Sequence, residues 1–454
     1  MFAEFSAPAP AVIVVAIVAA SVATSGAALA APPASDDGSV PAQLSLPQAE
    51  QIFLERGLDL LIAQYGAQGA EGDLKAAGAH PNPGVDLSVL YTPANVHSAI
   101  YSNLQQNSTT KSLWGFSVGV TDNAAIEDIL SGKHALRIEA ASKALAAAQL
   151  NVADVKRLEL GELRQAYAAA VMAELNVKAA KDSLATFDAQ LALNQKRYDE
   201  GAINGLDLSR AKQAELESLQ AVDAAESGRK QALASLLFLL GVRGAAPGVT
   251  LTSGIGYALL ARLSDPNVAS LHALALENRT DVKIAVANAE QAEAQLRSAK
   301  RARVPDVALS LGYSEQCSGD ACSSLPAFSA GVQGNVPLFY QQQGEIKRAQ
   351  SNAAAAQRSL DKVKAQVLSD VTQALAGYTA AKSQVERMEG QLLEQAKVSR
   401  DLAQHMYQKG AASFIDFMDA QRQYVASRLE YNQDLASYWN AVYELERVTG
   451  AGLR

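Results

Sequence analysis

Two stretches of the chain alternate apolar and polar residues. In PGVDLSVLY (83–91), Val85, Leu87 and Val89 fall on one side and Asp86 and Ser88 on the other. In PDVALSLGY (305–313), Val307, Leu309 and Leu311 repeat the pattern. A period of two predicts strands with one apolar face. Each stretch is followed by a polar loop and a second predicted strand, near 113–122 and 327–336. Elsewhere the apolar spacing is helical. Helices are predicted over about 46–77 and 268–302, before the hairpins. Very long ones follow at about 126–200 and 339–408, and the halves end with helices at 207–241 and 416–449. Ser45 stands where it caps the first helix, with Pro47 in the opening turn.

The order of elements recurs because the chain is written twice. FLERGLDLLIA (53–63) matches ALENRTDVKIA (275–285), and FSVGVTDN (116–123) matches FSAGVQGN (328–335). YDEGAINGLDLSRAK (198–212) matches YQKGAASFIDFMDAQ (407–421), pairing Tyr198 with Tyr407, Gly201 with Gly410 and Asp207 with Asp416. Gly241 and Gly450 close the two halves. The expected layout is a first repeat over 45–241 with its hairpin at 83–122, a linker over 242–267, and a second repeat over 268–454 with its hairpin at 305–336.

The lengths of these elements constrain the architecture. Seventy-odd helical residues at about 1.5 Å each span roughly 100 Å, so each long helix needs neighbours along its whole length. The strands have the nine or ten residues that a tilted strand needs to cross a bilayer. Four strands cannot close a barrel, and open edges are not viable in lipid. The strands therefore form either a small soluble sheet or one share of a barrel pooled from several chains.

Composition narrows the function. The formal net charge of −8 disfavours a nucleic-acid partner. AVIVVAIVAA (11–20) followed by Ala28-Leu29-Ala30 reads as a signal peptide over 1–30, despite Glu4 and the lack of Lys or Arg before it. A linker over 31–44 follows. The two cysteines, Cys317 and Cys322, flank Ser318, Gly319 and Asp320. In an exported chain this spacing suits a small disulfide loop, the alternative being two exposed thiols. The five histidines lack metal-ligand spacing, and no phosphate-binding or nucleophile motif occurs. No cofactor, metal or enzymatic activity is expected.

LPQAEQIFLERGLDL, VPDVALSLGY, AGVQGNVPLF followed by Gly344, and YQKGAASFIDFMDAQ, in this order across nearly the whole exported chain, resemble the TolC family of outer-membrane efflux proteins. The resemblance implies a mainly α protein with a small β part. Its long antiparallel helices would form an α-barrel through the periplasm, and its four transmembrane strands would join a 12-stranded barrel in a homotrimer. A small mixed belt would use 242–267 and the C-terminal end. The implied partners are outer-membrane lipid, a periplasmic adaptor and an inner-membrane transporter. The implied role is the passive exit duct of a tripartite efflux system. An outlet for type I protein secretion shares this fold, and a periplasmic coiled-coil scaffold is the alternative of another class. The resemblance places gating aspartates at Asp416 and Asp419, which in a trimer would give a ring of six carboxylates. It also places polar links at Asp207 and Tyr407. Ala412 and Leu206 replace residues that strengthen the closed tip in some members, which shifts the expected closure toward packing of Leu206, Ile415 and Phe417. Helix capping is the competing explanation for Asp207 and Asp416, but not for Asp419, whose twin is Arg210.

Overall fold

The computed structural model describes residues 40–92, 113–242, 248–252, 254, 256–258, 260, 263, 266–318, 326–334 and 336–453. The signal-peptide segment and Cys322 lie outside these residues, and so does the expected disulfide. A two-residue strand, β1 (Gln43–Leu44), leads into helices α1 (Leu46–Arg56) and α2 (Leu58–Gly78). Ser45 and Gln48 form a reciprocal cap on α1. The single helix expected over 46–77 is broken at Gly57, where a Cβ would sit 2.6 Å from the Phe53 ring. The second copy breaks at the corresponding point, between α6 (Val268–Asn278) and α7 (Thr280–Arg301). There Arg279 is extended, with φ −62° and ψ 127°.

The sheet consists of β2 (Gly84–Thr92), β3 (Leu113–Thr121), β5 (Val307–Ser318) and β6 (Ala327–Gly334), antiparallel in the order β2-β3-β5-β6. Its register resolves the two faces that alternation leaves equivalent. Val85, Leu87 and Val89 stand opposite Val120, Val118 and Phe116. Val120 and Val118 stand opposite Leu311 and Tyr313, which pair onward with Ala330 and Phe328. One face is thus a continuous apolar field, with Glu315 near its far end bonded to Tyr313 Oη at 3.2 Å. The other face carries Asp86, Ser88, Ser117, Gly119, Ser310, Gly312, Ser329 and Gly331, with Leu90, Ala308 and Ala327 the apolar exceptions. Ser88 and Ser117 meet there at 2.8 Å between hydroxyls. The outward edges of β2 and β6 have no partner strand among the described residues.

After β3 a short helix, α3 (Ala125–Leu130), precedes the long α4 (Lys133–Asp199). The expected single helix over 126–200 is interrupted by Gly132, whose φ of 76° is left-handed. The counterpart in the second repeat is α8 (Gln343–Arg387), one π-helical turn (Met388–Leu392) and α9 (Leu393–Gln408). The last helices are α5 (Gly205–Leu239) and α10 (Phe414–Thr449). At about 1.5 Å per residue, the 67 residues of α4 span roughly 100 Å. Near the sheet the helices lie in the order α2, α4, α7, α8; at the far end the order is α5, α4, α10, α9.

The cores sit midway along the helices, one per repeat. Around Leu44, Phe53, Leu163 and Leu236, buried Tyr167 donates its hydroxyl to Leu44 O at 3.1 Å. Around Leu271, Val371, Tyr438 and Leu445, buried Tyr378 donates to Leu263 O, also at 3.1 Å. Each tyrosine pins a linker residue to its long helix. Beside the first core, β1 pairs in parallel with β4 (Thr250–Leu251).

Candidate functional site

Both repeats reverse direction at the end furthest from the sheet. In the first turn, Gly201 N–H donates to Tyr198 O (2.9 Å) and Ala202 N–H to Arg197 O (2.7 Å). In the second, Gly410 N–H donates to Tyr407 O (3.0 Å) and Ala411 N–H to Met406 O (2.8 Å). This pair of bonds satisfies the last helical carbonyls only when the residue after the cap is left-handed. Gly201 and Gly410 have φ of 69° and 75°, a conformation that costs a residue with a side chain about 1–2 kcal/mol.

The next helices start differently in the two copies. Asn204 Oδ1 accepts from the Asp207 N–H at 2.9 Å and caps α5. Half-buried Asp207 lies 3.5 Å from Arg210. In the second copy Ser413 caps α10 by accepting from the Asp416 N–H at 3.2 Å. The Asp416 carboxylate accepts from Ser413 N–H (3.0 Å) and Ser413 Oγ (2.7 Å) in return. These bonds from the Ser413 hydroxyl and backbone hold the Asp416 carboxyl below the usual carboxylate range. Where the first copy has Arg210, the second has Asp419, exposed and with no hydrogen-bond or ion-pair partner among the described residues. The first helix start pairs an acid with a base. The second presents two exposed acids one turn apart.

Beneath the acids lies an aromatic floor of Tyr407, Phe414, Phe417 and Phe187. Tyr407 and Phe417 stack at 6.0 Å between centroids. Tyr407 Oη donates to Oδ1 of fully buried Asn194, and the Arg197 guanidinium sits 5.0 Å over the Tyr407 ring while donating to Gln408 O at 2.9 Å. Tyr407 is 5% exposed, whereas its twin Tyr198 is 45% exposed. Of the three apolar residues expected to close the tip together, Leu206 and Ile415 are exposed, but Phe417 is fully buried and supports them from below. Asn194, Arg197, Gln190 and Gln421 were not singled out from sequence. Gln190 Oε1, Asn194 Nδ2 and Gln421 Oε1 are buried without hydrogen-bond partners among the described residues, a polar set on α4 and α10, the same helices as Phe187, Phe414 and Phe417. Its only sequence signal is the pair Gln190 and Asn194, four apart on the buried face of α4.

The family model described as outer membrane efflux protein matches residues 51–242 and 271–451. The chain belongs to the outer membrane efflux protein family. It is 28% identical over 235 residues to the nickel and cobalt resistance protein CnrC of Cupriavidus metallidurans, covering 52% of this chain and 53% of that one. It is 24% identical over 327 residues to the cobalt-zinc-cadmium resistance protein CzcC of the same organism, covering 71% of this chain and 74% of that one. The match thus spans about half the length of the first relative and about three quarters of the second. The outer membrane protein VceC from Vibrio cholerae superposes with a TM-score of 0.71 at 21% identity, covering 90% of this chain and 97% of that one. As an outer membrane efflux protein the chain is a transport channel and not an enzyme. In an outer-membrane barrel an apolar sheet face meets lipid and a polar one lines the lumen, which for this sheet assigns the apolar face to lipid and the serine–glycine face to the lumen.

Proposed function

We propose that three copies of this outer membrane efflux protein close into one duct, the exit of a tripartite system that also includes a periplasmic adaptor and an inner-membrane transporter. The observation that carries this is the pair of open edges. One edge runs along β2, α2 and α5, and the other along β6, α8 and α9. Exposed apolar residues stud both, with Ile62 and Leu216 on the first and Val398 and Leu402 on the second. Edges of opposite kind join head to tail and form a ring when the rotation closes. The family resemblance supplies the number three, giving twelve strands. Chemical cross-linking of the protein in outer-membrane fractions is expected to produce a ladder ending at three; a ladder ending at two, or monomer alone, contradicts it.

In this ring Asp416 and Asp419 repeat three times around the axis of the tip and attract cations. Leu206 and Ile415 face the constriction. Asp207 and Tyr407 hold the turns, and Phe417 supports them. The names of the two Cupriavidus relatives support divalent metal cations as cargo. A strain lacking the protein is then expected to accumulate nickel, cobalt, zinc or cadmium, and unchanged accumulation of all four contradicts that cargo.

A further inference from the structure

The apolar surface does not end with the strands. Directly after β3, the six residues of α3 point Ile126, Ile129 and Leu130 outward, 50%, 54% and 79% exposed. Their acidic neighbours turn inward. Asp128 is 8% exposed and bonds Arg137 at 2.8 Å. Glu127 lies 3.4 Å from Lys133 Nζ, which also holds Asp306 at 2.6 Å. A surface helix in water shows the opposite distribution. In the second repeat the stretch after β6, 212 positions further on, does the same. Leu338 and Phe339 are 74% and 99% exposed. The Tyr340 ring is exposed while its hydroxyl turns back, donating to Glu345 at 2.6 Å and accepting from Gly344 N–H at 3.1 Å. A Cβ on Gly344 would lie 2.6 Å from that hydroxyl, so a larger residue there would push the Tyr340 side chain aside.

We propose that α3 and residues 336–340 form a collar seated in the inner leaflet of the outer membrane, with phospholipid at the headgroup–acyl boundary as its partner. Both segments follow in the chain on strands, β3 and β6, whose apolar residues share one face of the sheet. In a ring closed through the edges of β2 and β6, a neighbouring copy meets those strands and not the inner strand β3 that leads into α3. Each segment keeps its charges on the protein side and its apolar residues on the outside, as an interfacial helix does. Six such segments in the ring would fix the depth of the barrel, and hence how far the tip stands from the membrane. The inference rests on the outer-membrane placement of the family and needs neither the tip gate nor the cargo.

The test is quenching of indole fluorescence by brominated phospholipids in vesicles of phosphatidylethanolamine and phosphatidylglycerol. The chain has two tryptophans, Trp114 and Trp439. In a Trp114→Phe background, Trp439 remains as the internal reference, with its indole N–H bonded to Gly256 O at 3.0 Å. Leu130→Trp and Phe339→Trp then report the two segments, and Val118→Trp reports the barrel wall. Ile129→Trp replaces Leu130→Trp if the latter does not assemble. An interfacial face is buried roughly 5–10 Å, so bromines near the headgroup should remove about half the emission added at 130 and 339, and deep bromines less. At 118 the order should reverse. Emission at 130 and 339 untouched by either lipid, with 118 quenched, overturns the collar. A blue-shifted, unquenched signal at 339 assigns that segment to a neighbouring copy and overturns it too, as does quenching at only one of the two sites. No quenching at 118 removes the membrane placement and the collar with it.

Discussion

Arginine at adjacent positions of β3 is expected to have very different costs. Val118 lies near the middle of an inner strand, on the lipid face, between Leu87 and Tyr313. Ser117 faces the lumen between Ser88 and Ser314. An arginine on the lipid face near the bilayer midplane costs about 2–4 kcal/mol. Repeated in each protomer of a trimer, Val118→Arg therefore costs about 6–12 kcal/mol per assembly, on the scale of a whole domain's stability. Ser117→Arg places its charge in water and loses little beyond the 2.8 Å hydroxyl contact with Ser88, about 0.5–1.5 kcal/mol. The assay is the yield of heat-modifiable assembly in outer-membrane fractions, with expression matched by whole-cell immunoblot. Val118→Arg should abolish assembly and Ser117→Arg should leave it near the wild-type level. Equal yields, or the reverse order, would refute the assignment of the two faces.

Tyr407→Phe removes the hydroxyl bonded to buried Asn194, whose Nδ2 already has no partner among the described residues. Leaving the Asn194 oxygen unpaired costs about 1–3 kcal/mol, so the variant channel should open more often in planar bilayers, and an unchanged open fraction contradicts the role given to this bond. Nearer the core, Arg279 is 5% exposed and bonds Asp281 (2.6 Å) and Asp370 (2.9 Å). Burial pushes the Asp281 carboxyl up, but the Arg279 hydrogen bond and charge outweigh it, and the net position is low. A depressed carboxyl stabilises the fold above its unfolded pKa, near 3.9, and that contribution is lost as pH falls through the lower native value. Arg279→Ala should therefore lower stability by about 3–5 kcal/mol at neutral pH, read by thermal melting, and by less below pH 4. A deficit that stays constant across that range contradicts the pairing.

The duplication, the hairpins and the helix order were legible because they depend on periodicity and on residues repeated at fixed spacing. The breaks at Gly57 and Arg279 were not, since the apolar spacing continues through both. One follows from a ring packed beneath the backbone, the other from a buried guanidinium reaching three elements. The π-helical turn at Met388–Leu392 is hidden for the same reason. Alternation at 83–91 announced two faces but could not say that the apolar residues of all four strands share one of them; cross-strand register did. At the tip, the helix start at Asp416 and the exchange of Arg210 for Asp419 were readable locally. The unequal burial of Tyr198 and Tyr407 was not, because it depends on Asn194 and Arg197, more than two hundred residues before Tyr407.

Single-channel current through the purified protein in planar bilayers, with multivalent cations added on the tip side, tests the carboxylate gate most directly. Wild type should be blocked, and the block should persist somewhat below the ordinary carboxylate range, because Ser413 keeps Asp416 ionised there. Asp419→Ala should weaken the block roughly tenfold, the equivalent of about 1.4 kcal/mol. With Asp416→Ala added, the block and its pH dependence should both disappear. Wild-type block and pH dependence in the double variant would contradict a carboxylate gate and leave closure to Leu206 and Ile415 above the aromatic floor.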